Sequence, residues 1–182
     1  VSRKVVSVEG HGVHAFKHQN NATQEIDEFQ IYADGQAPAT LSAFLGALSY
    51  QADGKQFYGP RLKVTLSSKD EMSGVEEVHH SVNGNSFGKY GPPDFSAEGK
   101  YLYHYYAVDR TGNAEPVQQR IFTVDTSAPA TFHNFISISS ENVISTNSSV
   151  YLTVSDMFSG VHKTFYKFDK ENFKTYTGGN IP

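Results

Sequence analysis

The stretch Leu62-Lys-Val-Thr-Leu-Ser-Ser-Lys-Asp-Glu-Met-Ser-Gly-Val75 has a counterpart at Val150-Tyr-Leu-Thr-Val-Ser-Asp-Met-Phe-Ser-Gly-Val161. Both run from an alternating, β-branched segment into Asp-x-x-Ser-Gly-Val, at Asp70–Val75 and at Asp156–Val161. Alternation with period two marks a half-buried strand, and the Asp-Ser-Gly cluster marks the turn that ends it. Working outward, Ala-Pro-Ala-Thr stands at 37–40 and again at 128–131, ahead of each copy, with a longer loop in the first. The period is about 90 residues, the size of one sandwich domain rather than of a short solenoid unit. A chain of modules with equivalent roles is expected to space, display or bind rather than to catalyse.

Strand signals fill the rest of the chain. In Tyr101-Leu-Tyr-His-Tyr-Tyr-Ala-Val108, period two puts Tyr101, Tyr103, Tyr105 and Ala107 on one face and Leu102, His104, Tyr106 and Val108 on the other. Val78 to Val82 runs into Asn83-Gly84, a dipeptide suited to the positive φ values of a type I′ turn, and leaves towards Phe87. Gln118 to Val124 reads as another strand. Ala39–Ser49 and Ala130–Ser140 read as first strands after Pro-bearing linkers. Regularly spaced strands with turn residues between them predict an all-β chain of tandem Ig-like sandwiches.

The ends of the chain also align. Glu9-Gly10 matches Glu98-Gly99, Asp34-x-x-Ala-Pro38 matches Asp125-x-x-Ala-Pro129, and Tyr176 matches Tyr90. The predicted organisation is therefore the second half of a repeat over 1–38, a complete repeat over 39–128, and the first half of a further repeat over 129–182. Half a sandwich leaves strand edges and an apolar face open. Three arrangements follow: a window on a longer array, closure of the two halves within one chain, or completion by a neighbouring subunit.

Composition narrows the function classes. A net charge of -4 with mixed signs gives no basic face for nucleic acid. No apolar run is long enough for a membrane span, so no membrane insertion is expected. The start Val-Ser-Arg-Lys has no signal-peptide character, so an export signal would have been removed or would lie outside the chain. The absence of cysteine excludes disulfides and thiol chemistry.

The motifs resemble the bacterial OmpL47-type repeat, within the wider group of bacterial Ig-like extracellular repeats. The resemblance is carried by Ser68-x-Asp70-x-x-Ser73-Gly74-Val75, Val82-Asn-Gly84, Tyr90-Gly-Pro, Glu98-Gly99, Tyr105-x-Ala107-Val-Asp109-x-x-Gly112-Asn113-x-Glu115 and Val124-Asp125-x-x-Ala128-Pro129. It implies a secreted or surface-exposed β-sandwich, often in tandem, in adhesins or appended to exported enzymes. Residues 1–38 depart from the pattern, with His18-Gln-Asn-Asn21-Ala22 where Asp-x-x-Gly-Asn-Ala is expected.

The strand order of a sandwich carries Asp70 and Asp109 to one end, where the linker bearing Asp34 enters. Asp34, Asp70 and Asp109, with Asn113 nearby, are thus expected to converge, and Asp125 and Asp156 to begin the same site at the next junction. Hard oxygen donors on loops suit Ca²⁺, the one cofactor expected. The competing reading is that these aspartates cap N–H groups in turns. His79 and His80 are strand neighbours and point to opposite faces, and His11, His14 and His18 are irregular in register, so no zinc site is expected. The tyrosine-rich strand could stack on sugar rings, although one face of it is expected to be core. Asn21-Ala-Thr23 and Asn147-Ser-Ser149 are glycosylation sequons. No nucleophile, base and metal stand in mutual register. The expected function is a non-enzymatic structural or adhesive repeat protein of a prokaryotic surface, fibre-forming through self-association or bound to a host or neighbour-cell ligand, with calcium-stiffened junctions. The alternative is a carbohydrate- or ligand-binding accessory module of an exported enzyme.

Overall fold

The computed structural model describes residues 5–140 and 143–181 and is all-β, with no helix among the described residues. The strands are Gly12–Gln19 (β1), Ile26–Ala33 (β2), Ala39–Leu45 (β3), Ser49–Ala52 (β4), Lys55–Tyr58 (β5), Lys63–Lys69 (β6), Val75–Val82 (β7), Gly88–Lys89 (β8), Gly99–Asp109 (β9), Gln118–Val124 (β10), Ala130–Ser140 (β11), Val143–Ser155 (β12), Thr164–Tyr166 (β13) and Lys174–Tyr176 (β14). They belong to two compact units. The first holds residues 1–46, 62–94 and 101–121, and the second holds 47–61, 95–100 and 122–182.

In the first unit, β3 and β6 form one antiparallel pair, from Ala39 opposite Lys69 to Leu45 opposite Lys63. β10, β9, β7 and β8 follow one another as hydrogen-bonded neighbours. The two layers are stitched by polar groups at their facing surfaces. The Tyr105 hydroxyl donates to Ser42 Oγ at 2.9 Å. The Tyr90 hydroxyl accepts from the Leu66 N–H at 3.2 Å and donates to the Val64 carbonyl at 3.3 Å. This is a sandwich-like arrangement, and its centre is one of the two faces that the tyrosine alternation separates. Tyr103, Tyr105 and Ala107 are fully buried, and Val64 is nearly so. Tyrosine fits such a centre because its ring fills space while its hydroxyl reaches a partner in the opposite layer.

Glu115 is one of the buried carboxylates of this layer pair. Its carboxylate accepts from the Thr40 N–H at 3.1 Å, from the Ala107 N–H at 2.8 Å and from the Thr40 hydroxyl. Thr40, just past Pro38, is thereby tied to Ala107 on the inward face of β9. A second device is the turn after β7, where the Asn85 N–H donates to the Val82 carbonyl and Asn83 and Gly84 have φ of 53° and 79°. The Asn-Gly prediction holds there. β1 and β2 form a two-stranded sheet whose cross-strand pair Phe16 and Phe29 brings the rings to 5.0 Å.

In the second unit, β4 and β5 form a hairpin across Asp53-Gly54, and β5 runs parallel to the end of β10, with Phe57 opposite Thr123 and Tyr58 opposite Val124. Phe122 packs edge-on against Tyr58 and Phe95. The single strand expected over 39–49 is broken: β3 stops at Leu45, Gly46 adopts φ 79° and β4 begins at Ser49. The returning chain breaks in the same way before β6, at Arg61 with φ 73°. Left-handed backbone at both points ends the β3–β6 ladder. In the second copy, β11 and β12 stay one long ladder from Ala130–Ser155 to Ser140–Val143, with bulges beyond Ile136. β13 and β14 pair antiparallel, and the Tyr176 hydroxyl accepts from the Leu152 N–H as Tyr90 does from Leu66.

Replacing Glu115 with Ala leaves two buried N–H groups without their acceptor. Each such orphan costs about 1–3 kcal/mol, so Glu115→Ala should lower the unfolding free energy by about 3 kcal/mol, read from urea denaturation. An unchanged midpoint would show that Glu115 does not hold the layers together.

Candidate functional site at the Asp-x-x-Ser-Gly turns

The site begins with the two copies of the motif. Asp70 Oδ1 accepts from the N–H groups of Met72 at 3.1 Å and Gly74 at 2.8 Å. Asp156 Oδ1 accepts from Phe158 at 3.1 Å and Gly160 at 2.8 Å. Gly74 and Gly160 share φ 80°. A short carboxylate that takes N–H groups two and four residues on replaces the backbone carbonyl of a turn, and glycine supplies the left-handed exit. The serine N–H inside the turn stays free for another acceptor.

That acceptor is the linker aspartate. Asp34 Oδ2 accepts from the Ser73 N–H at 2.9 Å, while Oδ1 accepts from Gln36 at 3.1 Å. Asp125 Oδ2 accepts from the Ser159 N–H at 2.9 Å, while Oδ1 accepts from Ser127 at 3.2 Å. One clasp is thus built twice, from residues 39 apart in the first case and 34 apart in the second.

Asp109 joins the first clasp. Its Oδ1 accepts from the N–H groups of Thr111 and Asn113, both at 2.8 Å, and from the Thr111 hydroxyl at 3.0 Å. Its Oδ2 accepts from Asn113 Nδ2 at 2.7 Å, and the same nitrogen donates to the Asp34 carbonyl at 3.2 Å. Asp34, Asp70 and Asp109 each place one carboxylate oxygen within 4.8 Å of the others, the one such cluster among the described residues. Asp34, Asp70, Asp109 and Asn113 are therefore brought together as the strand order predicts. Asp125 and Asp156 are linked to one turn through Ser159 and belong to no cluster of three among the described residues.

Hydrogen bonding governs the electrostatics. Burial would raise the Asp109 carboxyl, which is 2% exposed, but donors from Asn113 and Thr111 outweigh it and hold the pKa at about 2. Hydrogen bonds from Ser73 and from the Gln36 N–H hold Asp34 below the ordinary carboxylate value, against burial and the Asp109 charge. For Asp125, burial is again opposed, here by Ser159 and the Ser127 N–H, and the net shift is downward. Fixed dipoles thus let Asp34 and Asp109 stay ionised side by side. The oxygen spacing also suits a hard cation, since Ca²⁺ sits 2.3–2.6 Å from each oxygen ligand.

Sequence reasoning missed the other half of the clasp. Ser73 and Ser159 contribute through backbone N–H groups, which no side-chain motif advertises, although the invariant Ser-Gly pair in both copies was the available signal. Glu115 was likewise passed over as a site residue. In residues 1–38 the turn is held instead by Asn20, its Oδ1 accepting from the N–H groups of Ala22 at 2.9 Å and Thr23 at 3.4 Å. His79 and His80 do diverge. His79 stacks on Tyr106 at 5.0 Å, while His80 meets Tyr90 and Tyr103 and has its pKa lowered by burial.

Comparison with protein families, with curated proteins and with solved structures gives no match. The likeness to bacterial Ig-like repeats therefore rests on the motifs themselves.

The lowered pKa values fix a pH dependence. A carboxyl whose folded pKa lies below its unfolded value adds stability that is complete above the unfolded value and vanishes as pH falls through the folded one. The melting temperature should therefore fall from roughly pH 4 to pH 2, and Asp109→Asn should flatten that fall. A parallel decline in the variant would remove Asp109 from the account.

Proposed function

We propose that the chain is a non-enzymatic structural or adhesive element of a prokaryotic cell surface, secreted or displayed, made of tandem Ig-like β-sandwich repeats held in fixed succession. The observation that carries this reading is the duplicated clasp. At two places one repeat apart, a linker aspartate is hydrogen-bonded at the same distance to the N–H of the same serine in the following motif. A joint built twice from the same atoms serves a property of the whole row, namely the angle between neighbours. Pro38 and Pro129 add to this by fixing φ in the linker. Charge adds to it as well, since Asp34, Asp70 and Asp109 offer three oxygens to a divalent cation, and Ca²⁺ seated there would bind linker and sandwich together. Partners of such an element are further copies of itself or ligands on host and neighbouring cells.

Spin labels at Glu28→Cys and Thr65→Cys straddle the first clasp and test this reading. The distance distribution between them should be narrow, should narrow further with Ca²⁺, and should broaden in Asp34→Ala. Asp70→Ala should abolish the response to Ca²⁺. A broad distribution in the parent chain contradicts the stiff joint, and indifference to Ca²⁺ removes the cation while leaving the joint.

One observation favours the ligand-binding alternative. On the outer face of β7 and β9, Tyr106 is flanked by His79 at 5.0 Å and by Phe87 at 5.1 Å, and Phe87 is 43% exposed. Such a ring platform suits the apolar faces of sugars. Saturable binding on a glycan array, lost in Tyr106→Ala, would favour the accessory module, whereas an array without signal removes it.

A further inference from the structure

Left-handed backbone at Gly46 and Arg61 releases the β4–β5 hairpin from the β3–β6 ladder, and the released hairpin builds a pocket. The Gly59 N–H donates to the Leu48 carbonyl at 2.9 Å and closes the open end of the hairpin. β5 lies parallel to the end of β10, and the Asp125 N–H donates to the Tyr58 carbonyl at 2.8 Å, which sets Asp125 beside the rings of the hairpin. The pocket has a volume of about 180 Å³, and its lining includes Leu48, Tyr50, Phe57, Tyr58, Asp125 and Ser159. All of these belong to the second unit.

Asp125 is the one charged group in this lining, and it is 8% exposed. Its oxygens accept one N–H each, from Ser127 at 3.2 Å and from Ser159 at 2.9 Å. An ionised carboxylate has about four acceptor sites, so capacity remains on the pocket side. Burial opposes its ionisation, but the Ser159 and Ser127 hydrogen bonds outweigh burial. Two more carboxylates hold the neighbouring turns: Glu98 accepts from the Thr126 N–H at 3.0 Å, and Asp156 accepts from the Gly160 N–H at 2.8 Å. None of the three makes an ion pair among the described residues. The pocket thus joins an uncompensated negative charge to aromatic and aliphatic walls.

That combination selects among cations. A hard divalent ion such as Ca²⁺ takes about six to eight oxygen ligands, and this lining offers one carboxylate among rings. An alkylammonium ion needs the opposite set: one acceptor for its head, and ring or apolar surface for its charge and its stem. Drug-sized ligands fill pockets of about 300–1,000 Å³, so this smaller volume suits a single side chain. We propose that the pocket receives a lysine side chain of a partner protein, its ammonium on Asp125 and its methylenes against Tyr50 and Phe57, whose ring centroids are 6.2 Å apart. The rim favours a polypeptide over a free amine. Leu48 and Tyr50, both exposed, would stay bare around a free amine, whereas the backbone carrying a lysine covers them. The inference goes beyond the stiff repeat element and does not depend on it.

An NMR titration of the chain with lysine capped at both ends, and separately with capped norleucine, tests it. Norleucine carries an apolar chain of lysine-like length without the ammonium. Capped lysine should shift the Ser159 and Gly59 amides saturably, and capped norleucine should leave them in place. Asp125→Asn, which removes the charge and keeps the shape, should weaken binding about tenfold or more. Tyr50→Ala should weaken it as well, and Tyr50→Phe should keep it. Tyr50 stands outside the clasp, so this pair stays decisive even if Asp125→Asn loosens the linker. No saturable shift with capped lysine, equal shifts with norleucine, unchanged binding in Tyr50→Ala, or displacement of lysine by Ca²⁺ at the same concentration would each overturn the inference. Cadaverine that binds where capped lysine does not would assign the pocket to a free amine and overturn the protein partner.

Discussion

A carboxylate oxygen of the linker aspartate, 2.9 Å from a serine N–H, is the contact on which the arrangement of this chain depends. The linker would otherwise be a flexible hinge of a few residues. The aspartate closes it at both ends, with one oxygen on its own turn and the other on the turn of the next motif. The cost is a buried charge, since the Asp34 side chain is 2% exposed. That charge is tolerable because N–H dipoles surround it, and an ionised acceptor makes stronger hydrogen bonds than a neutral one. The same device explains why Asp109 stays ionised within reach of Asp34 and Asp70.

The two compact units cut across the sequence repeats. Each unit contains one whole clasp: Asp34 with Ser73 in the first and Asp125 with Ser159 in the second. Glu115 extends the pattern inward by tying Thr40, just past the linker, to Ala107 on β9. The linker end and the tyrosine core are thus coupled through one buried carboxylate.

Much of this was legible in the sequence, for reasons that can be named. The alternation of Tyr101–Val108 separated the residues that prove buried from those that face outward because a strand has a strict period of two and no competing periodicity intrudes. Asn83-Gly84 predicted its turn because few dipeptides accept two positive φ values. The meeting of Asp34, Asp70 and Asp109 followed from strand direction alone. What escaped was of two kinds. Backbone donors such as the Ser73 and Ser159 N–H groups leave no compositional trace. The break of the first hairpin at Gly46 and Arg61 was hidden because nothing in Arg61 foretells left-handed backbone, and the second copy keeps one ladder, with bulges beyond Ile136.

Amide hydrogen exchange at Ser73 and Ser159 tests the clasp most directly. Both N–H groups should exchange slowly in the parent chain. Asp34→Ala should release Ser73 alone and Asp125→Ala should release Ser159 alone, while the amides of β9 keep their protection. If both serine amides exchange at the rate of an open loop in the parent chain, the linker aspartates do not hold the following turns, and the account of a stiff, repeated joint is wrong.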